Sequence, residues 1–261
     1  MSPRRRLLLA GLAAALLVAA AVIGLRVVGR DDARPAQDRL GPVLLVPGYG
    51  GSRESLTALA GRIGATGRDT RVLALPGDGV GDLGGQVEVL DDAVRAALAA
   101  GAPSVDVLGY SAGGVVAALW VARSGGASKA RRVVTLGSPL HGAQLAGAGT
   151  ALAPGACPPA CRQLAPGSAV LGELDRAAVA ERLPWLSVWT ADDETVVPPQ
   201  SARLAGAVNV EVQSICPDAR VAHGQLPTDP LVTGLVLRAL GVAPLSEPSR
   251  SDCASLRAAG S

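Results

Sequence analysis

Short, continuously apolar segments alternate with longer segments of helical periodicity from Pro42 onward. Continuous apolar runs are typical of strands that are buried on both faces of a parallel sheet. Strands are predicted over residues 43–46, 71–75, 105–108, 132–136, 186–189 and 208–212. Helices are predicted over residues 86–100, 111–123, 168–176 and 231–240. This alternation predicts an α/β fold, with a doubly wound and mostly parallel sheet of about six strands.

Residues 138–184 interrupt the alternation, because glycine and proline recur throughout them and only one short helix is predicted there. We interpret this stretch either as a cap or lid, or as a long crossover between strands. The pattern on both sides of it predicts one α/β domain over residues 41–245. Residues 246–261 are predicted to be a tail that Cys253 pins to the domain.

The first 30 residues have the composition of a membrane-directed leader. Arg4, Arg5 and Arg6 precede an apolar run of 19 residues, 7–25, which at about 1.5 Å per residue can span a hydrocarbon layer of roughly 30 Å. Residues 1–28 are predicted to be a signal peptide or a membrane anchor, followed by a polar linker over residues 29–40. The run is longer than the usual h-region of a signal peptide, and no clean A-x-A site separates it from Arg26, which favours an uncleaved anchor. The domain is therefore expected outside the cytoplasm, either anchored to the membrane or secreted.

Composition and charge narrow the class of protein further. The chain is 49% hydrophobic but only 2% aromatic, which excludes a disordered polar chain, a collagen-like repeat and a small disulfide scaffold. The formal charge of +2 comes from the leader, because residues 31–261 hold 19 basic and 22 acidic residues, a balance of −3. The domain is therefore not expected to bind nucleic acid.

Four cysteines follow the leader: Cys157, Cys161, Cys216 and Cys253. Disulfides are typical of oxidising compartments, which agrees with an exported domain. Of the three pairings, we expect Cys157 to close a small ring with Cys161, leaving Cys216 to join Cys253. A zinc site is the alternative, but the cysteines lack paired C-x2-C spacing and neither histidine is close to them in sequence.

Residues 109–113 read Gly-Tyr-Ser-Ala-Gly, a G-x-S-x-G motif that lies between a predicted strand and a predicted helix. A nucleophile elbow requires this strand, sharp turn and helix, because the serine must project from a strained backbone at the helix N-terminus. Ser111 is therefore the candidate nucleophile. A serine hydroxyl needs a base to take its proton, and the chain holds two histidines, His141 and His223.

Chain order separates the two histidines. In hydrolases that use such an elbow the order is serine, acid, histidine, and only His223 follows the acidic cluster Asp192, Asp193 and Glu194. His223 is therefore the candidate base, and His141 is expected to be non-catalytic or to support the wall of the cleft. Spacing alone leaves all three carboxylates open as the acid that orients the imidazole.

Two backbone amides are candidate donors to the oxyanion that forms during attack. Ala112 follows the nucleophile, and Tyr49 lies in the glycine-rich turn 47–52 after the first strand of the domain. Amides at these two places supply the oxyanion hole in hydrolases with a nucleophile elbow.

Taken together, these motifs resemble the secreted lipases and esterases of the α/β-hydrolase superfamily, especially the compact class 2 lipases. The likeness runs from about residue 42 to residue 240. It rests on residues 43–50, the Ser111 elbow, 135–142, 193–198 and 221–223. The resemblance implies a minimal α/β-hydrolase fold, Asp193 as the acid, oxyanion amides at Tyr49 and Ala112, and a non-catalytic His141. It also implies ester hydrolysis through an acyl-enzyme, without a metal or an organic cofactor.

We therefore expect a serine esterase or lipase with a Ser111–His223–Asp193 triad, acting on an ester or lipid substrate. Two alternatives remain open: an acyltransferase of the cell envelope that uses the same triad, and a non-catalytic binding module on a hydrolase scaffold. Because the loops are poor in aromatic residues that could hold a long acyl chain, the sequence favours an esterase over a long-chain lipase.

Overall fold

A six-stranded sheet organises the part of the chain that the computed structural model describes, residues 34–261. The strands are β1 (Val43–Val46), β2 (Thr70–Val72), β3 (Val105–Tyr110), β4 (Ala130–Leu136), β5 (Trp185–Trp189) and β6 (Val208–Glu211). They lie in the order β2-β1-β3-β4-β5-β6, and every neighbouring pair is parallel. The predicted α/β class with a six-stranded parallel sheet is confirmed.

Helices cover both faces of the sheet. Those in the described residues are α1 (Glu54–Gly64), α2 (Leu83–Ala99), α3 (Ala112–Arg123), α4 (Gln144–Leu152), α5 (Pro159–Gln163), α6 (Ala169–Ala177), α7 (Val179–Arg182), α8 (Val212–Ile215), α9 (Pro230–Leu240) and α10 (Cys253–Gly260). Successive strand residues point to opposite faces. Leu44 and Val46 of β1 accordingly join the core beneath α2 and α3, while Val43 and Leu45 join the core beneath α1 and α9.

The segment 138–184 holds four helices, α4 to α7, where the sequence predicts one. Helix α4 could not be predicted from hydrophobic periodicity, because its nine residues carry no charge and none of them is buried. Helices α5 and α7 have five and four residues, too few to show a helical repeat. Strand β2 also ends earlier than predicted, at Val72, and the chain turns at Gly77, whose φ is 59°.

The three tryptophans are buried in the core. Trp120 of α3 and Trp185 and Trp189 of β5 are each at most 2% exposed. Each indole N–H donates to a side-chain oxygen, of Asp91, Thr135 and Glu211 respectively. Their burial therefore leaves no indole donor unsatisfied.

A buried ion cluster closes the amino-terminal edge of the sheet. Asp106 of β3 lies 2.6 Å from the guanidinium nitrogens of both Arg68 and Arg131. Arg131 also donates to the carbonyl of Leu240 at 2.7 Å, and Arg132 donates to the carbonyl of Ala239 at 2.6 Å. Because carbonyls at a helix C-terminus carry partial negative charge, they help to balance these cations. The cluster thus holds the end of α9 against the sheet.

Two disulfides join Cys157 to Cys161 and Cys216 to Cys253. The first lies at α5, beside α4, and the second ties the end of α8 to the start of α10. Within residues 34–261, no helix is both long and apolar enough to cross a membrane. The predicted leader, residues 1–28, lies outside the residues that the structure describes.

Candidate active site

The three residues predicted as a triad lie together at the carboxyl-terminal edge of the sheet. Ser111 follows β3, Asp193 lies in the loop after β5, and His223 follows α8. All three are largely buried, with 8%, 5% and 5% of their surface exposed. In open α/β sheets, ligands bind at this edge, where loops from neighbouring strands converge.

Ser111 occupies a strained turn between β3 and α3. Its φ is 53° and its ψ −125°, a region that residues with side chains rarely adopt. The flanking glycines permit the turn, since a Cβ atom at Gly109 would come within 2.5 Å of the Cα atom of Gly114. The local sequence thus explains how the hydroxyl comes to project from the N-terminus of α3.

A chain of hydrogen bonds links the three side chains. The Nε2 atom of His223 lies 3.0 Å from Oγ of Ser111, and its Nδ1 atom lies 2.7 Å from Oδ2 of Asp193. The other carboxylate oxygen of Asp193 accepts from the amides of Thr195 and Val196, at 3.0 and 2.7 Å. These amides fix the carboxylate so that one oxygen remains directed at the imidazole.

The two neighbouring carboxylates face other partners. Asp192 accepts a hydrogen bond from the side-chain amide of Gln213 at 3.2 Å. Glu194 accepts one from the backbone N–H of His223 at 3.0 Å. Of the three carboxylates that spacing left open, only Asp193 meets the imidazole of His223.

The two predicted oxyanion donors lie beside Ser111. Gly48, which precedes Tyr49, approaches so closely that a Cβ atom there would stand 3.0 Å from the Cβ atom of Ser111. Ala112 is the first residue of α3, and the first amides of a helix have no acceptor within it. Both amides thus belong to backbone that adjoins the nucleophile.

His141 lies apart from this cluster. Its Nδ1 atom is 3.1 Å from the carbonyl oxygen of Ser201, and its Nε2 atom is 3.5 Å from a carboxylate oxygen of Asp175. Its side chain is 47% exposed. The structure therefore places it near the surface, without a contact to Ser111.

An apolar cleft of about 330 Å³ opens onto Ser111. Its lining carries no charged residue and one aromatic: Tyr49, Ser111, Pro139, Ala143, Leu145, Ala146, Gly149, Cys161, Leu164, Thr195 and Val196. Helix α4 forms one wall, and its Leu145 and Leu152 are 71% and 86% exposed. The cleft can therefore receive an uncharged aliphatic group next to the serine.

Tyr110 is a site residue that the sequence reasoning missed. Its hydroxyl donates to the carbonyl oxygen of His223 at 3.2 Å, and its ring centroid lies 5.2 Å from that of the imidazole. Burial, and then the negative charges of Asp193 and Glu194, raise the pKa of Tyr110 to about 12. Its position within the elbow motif was the only signal in the sequence.

No family model matches the chain, and no curated protein matches it. Its fold, however, is similar to solved lipase structures. Lipase B from Aspergillus fumigatus matches with a TM-score of 0.71 at 22% identity, over 85% of this chain and 57% of that chain. This chain thus spans little more than half the length of that lipase.

Two bacterial enzymes have related folds. The mature lipase BlEst2 from Bacillus licheniformis matches with a TM-score of 0.57 at 20% identity, over 66% of this chain and 83% of that chain. Phospholipase PlaB from Legionella pneumophila matches with a TM-score of 0.57 at 14% identity, over 83% of this chain and 61% of that chain. The parallel sheet, the elbow after β3 and these likenesses agree: the chain adopts the α/β-hydrolase fold.

Proposed function

We propose that the protein is a serine hydrolase that cleaves carboxylic esters with uncharged aliphatic acyl groups. The observation that carries the proposal is the continuous hydrogen-bonded chain from Ser111 through His223 to Asp193, with distances of 3.0 and 2.7 Å. A serine becomes nucleophilic at neutral pH when a base lies within hydrogen-bonding reach and a third group orients that base.

In the first step, Oγ of Ser111 attacks the ester carbonyl carbon while Nε2 of His223 takes the hydroxyl proton. The carbonyl π electrons move to the oxygen, and the amides of Tyr49 and Ala112 donate hydrogen bonds to this oxyanion. Such preorganised donors act on charge that is present only in the transition state and the intermediate, so they accelerate the reaction.

The tetrahedral intermediate collapses when its bond to the leaving alcohol breaks. His223 returns its proton to the alcohol oxygen, and the acyl group remains bonded to Oγ of Ser111. Water then attacks the acyl carbon and loses a proton to His223. The bond between the acyl carbon and Oγ of Ser111 breaks, His223 returns the proton to Oγ, and the carboxylic acid and free serine result. Asp193 holds the imidazole in the required tautomer and stabilises its protonated form at both stages.

The cleft supports an ester with an aliphatic acyl group. Its walls carry no charged side chain and are formed mostly by small and branched apolar residues, so they offer no partner to a charged acyl chain. Tyr49 is its one aromatic residue, which fits an esterase of modest acyl length more closely than a lipase of long chains. In this proposal the segment 138–184 is the cap that builds the cleft.

The proposed place of action is outside the cytoplasm. The two disulfides support it, because such bonds persist in oxidising compartments. The leader, as signal peptide or anchor, remains part of the proposal.

Active-site labelling tests the reaction. A fluorophosphonate probe should label the oxidised protein, and peptide mapping should locate the adduct at Ser111. Ser111→Ala should abolish both labelling and hydrolysis of p-nitrophenyl butyrate. Labelling elsewhere, or equal hydrolysis by Ser111→Ala, would refute the proposal. Product analysis with an added alcohol separates hydrolysis from acyl transfer.

A further inference from the structure

The backbone of His223 is held on both sides by residues adjacent in sequence to the other two members of the triad. Its carbonyl oxygen accepts a hydrogen bond from the hydroxyl of Tyr110, which precedes Ser111. Its N–H donates to the carboxylate of Glu194, which follows Asp193. The histidine loop is thus attached directly to both the nucleophile turn and the acid loop.

We propose that Tyr110 and Glu194 are positioning residues. Their two hydrogen bonds form a clamp that holds His223 in position relative to Ser111 and Asp193. The inference rests on the proposed function, because it assigns these residues to the working geometry of that triad. Neither side chain contacts the reacting atoms. Each acts through the main chain of His223, and so determines where the imidazole stands between its two partners.

The clamp compensates for the distance along the chain between His223 and the other two members of the triad. His223 is 112 residues from Ser111 and 30 residues from Asp193 along the chain, and it lies in a short helical turn, His223–Gln225. A small displacement of this turn would lengthen both triad hydrogen bonds at once. Because proton transfer depends steeply on such distances, holding the main chain preserves the rate.

Tyr110 is suited to donate throughout the working pH range. Its hydroxyl stays protonated because burial and the nearby carboxylates hold the pKa of Tyr110 at about 12. Its ring also packs against the imidazole, with the two planes inclined by 31°. Tyr110→Phe would remove the hydrogen bond and keep this ring contact.

Glu194 is exposed, so water screens its charge and its main contribution is a well-placed acceptor oxygen. Glu194→Gln retains a side-chain oxygen at this position, whereas Glu194→Ala removes it. The pair of variants therefore separates the acceptor oxygen from the negative charge: Glu194→Gln loses only the charge, and Glu194→Ala loses both.

Kinetics on a soluble ester provide the first test. The loss of one hydrogen bond in Tyr110→Phe or in Glu194→Ala should lower kcat by about 3- to 10-fold, with KM nearly unchanged because the cleft is untouched. The rate of fluorophosphonate labelling of Ser111 should fall by the same factor. Glu194→Gln should keep most of the activity, and Asp192→Asn is the control in the same loop.

Histidine NMR provides a second test that does not depend on turnover. The chain has two histidines, and His141, which contacts neither Tyr110 nor Glu194 among the described bonds, is an internal reference. The imidazole signals of His223 should shift in Tyr110→Phe and Glu194→Ala, while those of His141 stay in place.

The outcomes separate the clamp from the proposed function. If the wild type hydrolyses esters but both variants retain its kcat, labelling rate and His223 signals, the clamp is wrong and the triad stands. If the wild-type protein neither hydrolyses esters nor labels at Ser111, the proposed function fails, and with it the positioning role.

Discussion

Gly137 lies against the imidazole of His223, so closely that a Cβ atom at Gly137 would stand 3.1 Å from both Nδ1 and Cε1 of the ring. The same atom would come within 2.6 Å of a methyl group of Leu226. Gly137 also has a φ of 54°, in the left-handed region that favours glycine. The end of β4 thus closes one side of the site with backbone alone.

Gly137→Ala should therefore displace His223 and lower kcat between about 10- and 100-fold, because small misplacements of a catalytic group cost that much. Steady-state kinetics on a soluble ester measures the effect. Gly67→Ala is the matched control, because Gly67 also has a positive φ, of 84°. A Cβ atom at Gly67 would meet no heavy atom of the described residues within 4 Å, its two chain neighbours aside. Equal kcat values for the two variants would contradict the argument.

Asp193→Asn should reduce kcat by about 10⁴-fold, because an amide stabilises neither the required tautomer nor the protonated imidazole. Folding should be preserved, since asparagine can still accept from the amides of Thr195 and Val196. Circular dichroism can verify this while kinetics gives the loss.

Asp192→Asn serves as its comparison, because Asp192 contacts Gln213 rather than the imidazole. Its kcat should stay within about twofold of the wild-type value. Similar losses in both variants would show that the acid has been assigned to the wrong carboxylate.

Ala146→Phe should shift substrate preference toward shorter acyl chains. Ala146 lines the cleft, so the larger ring occupies space that a longer chain would use. The kcat/KM for an octanoate ester should fall about 10-fold or more relative to an acetate ester, in the range expected for steric discrimination in an apolar pocket. Ala151→Phe, on an exposed part of the same helix, should leave the ratio unchanged. An unchanged ratio in Ala146→Phe would place the acyl group elsewhere.

Asp106→Ala should lower the free energy of unfolding by about 3–5 kcal/mol, because it leaves the buried cations Arg68 and Arg131 without their carboxylate. Urea denaturation followed by circular dichroism measures the change. Asp92→Ala removes an exposed partner of Arg95, with 69% of the Asp92 side chain accessible, and should cost at most about 0.5 kcal/mol. Comparable values would mean that the buried cluster contributes little.

The sheet could be predicted from the sequence because its strands are buried on both faces, as Val43–Val46 and Trp185–Trp189 are throughout. Apolar runs of this kind can be recognised in the sequence even when the strands that lie beside them in the sheet are not known. The Ser111 turn could be predicted equally well, since its glycines and the strand and helix that flank it are adjacent in the sequence. These features supplied the fold class and the candidate nucleophile.

Other features depend on residues that are distant in the chain. Arg131 and Arg132 lie within β4 at 0% and 1% exposure, although charged residues usually mark an exposed strand end. Their acceptors include Leu240 and Ala239, more than 100 residues later. The predicted strand began at Arg132 because nothing local reveals that these carbonyls will accept from the arginines.

The contacts to the main chain of His223 were equally inaccessible to sequence reasoning. Tyr110 occupies a variable position of the elbow motif, and Glu194 was one of three open carboxylates. Only the folded arrangement brings them to opposite sides of one residue. The sequence could name the candidate reacting groups but not the residues that contact the main chain of His223.

The burial of all three tryptophans has a practical consequence for spectroscopy. Trp120, Trp185 and Trp189 are each at most 2% exposed, and none of them lines the cleft. Indole emission should therefore shift to longer wavelength on unfolding while responding weakly to ligands in the cleft. Intrinsic fluorescence thus offers a signal for the integrity of the sheet that remains separate from occupancy at Ser111.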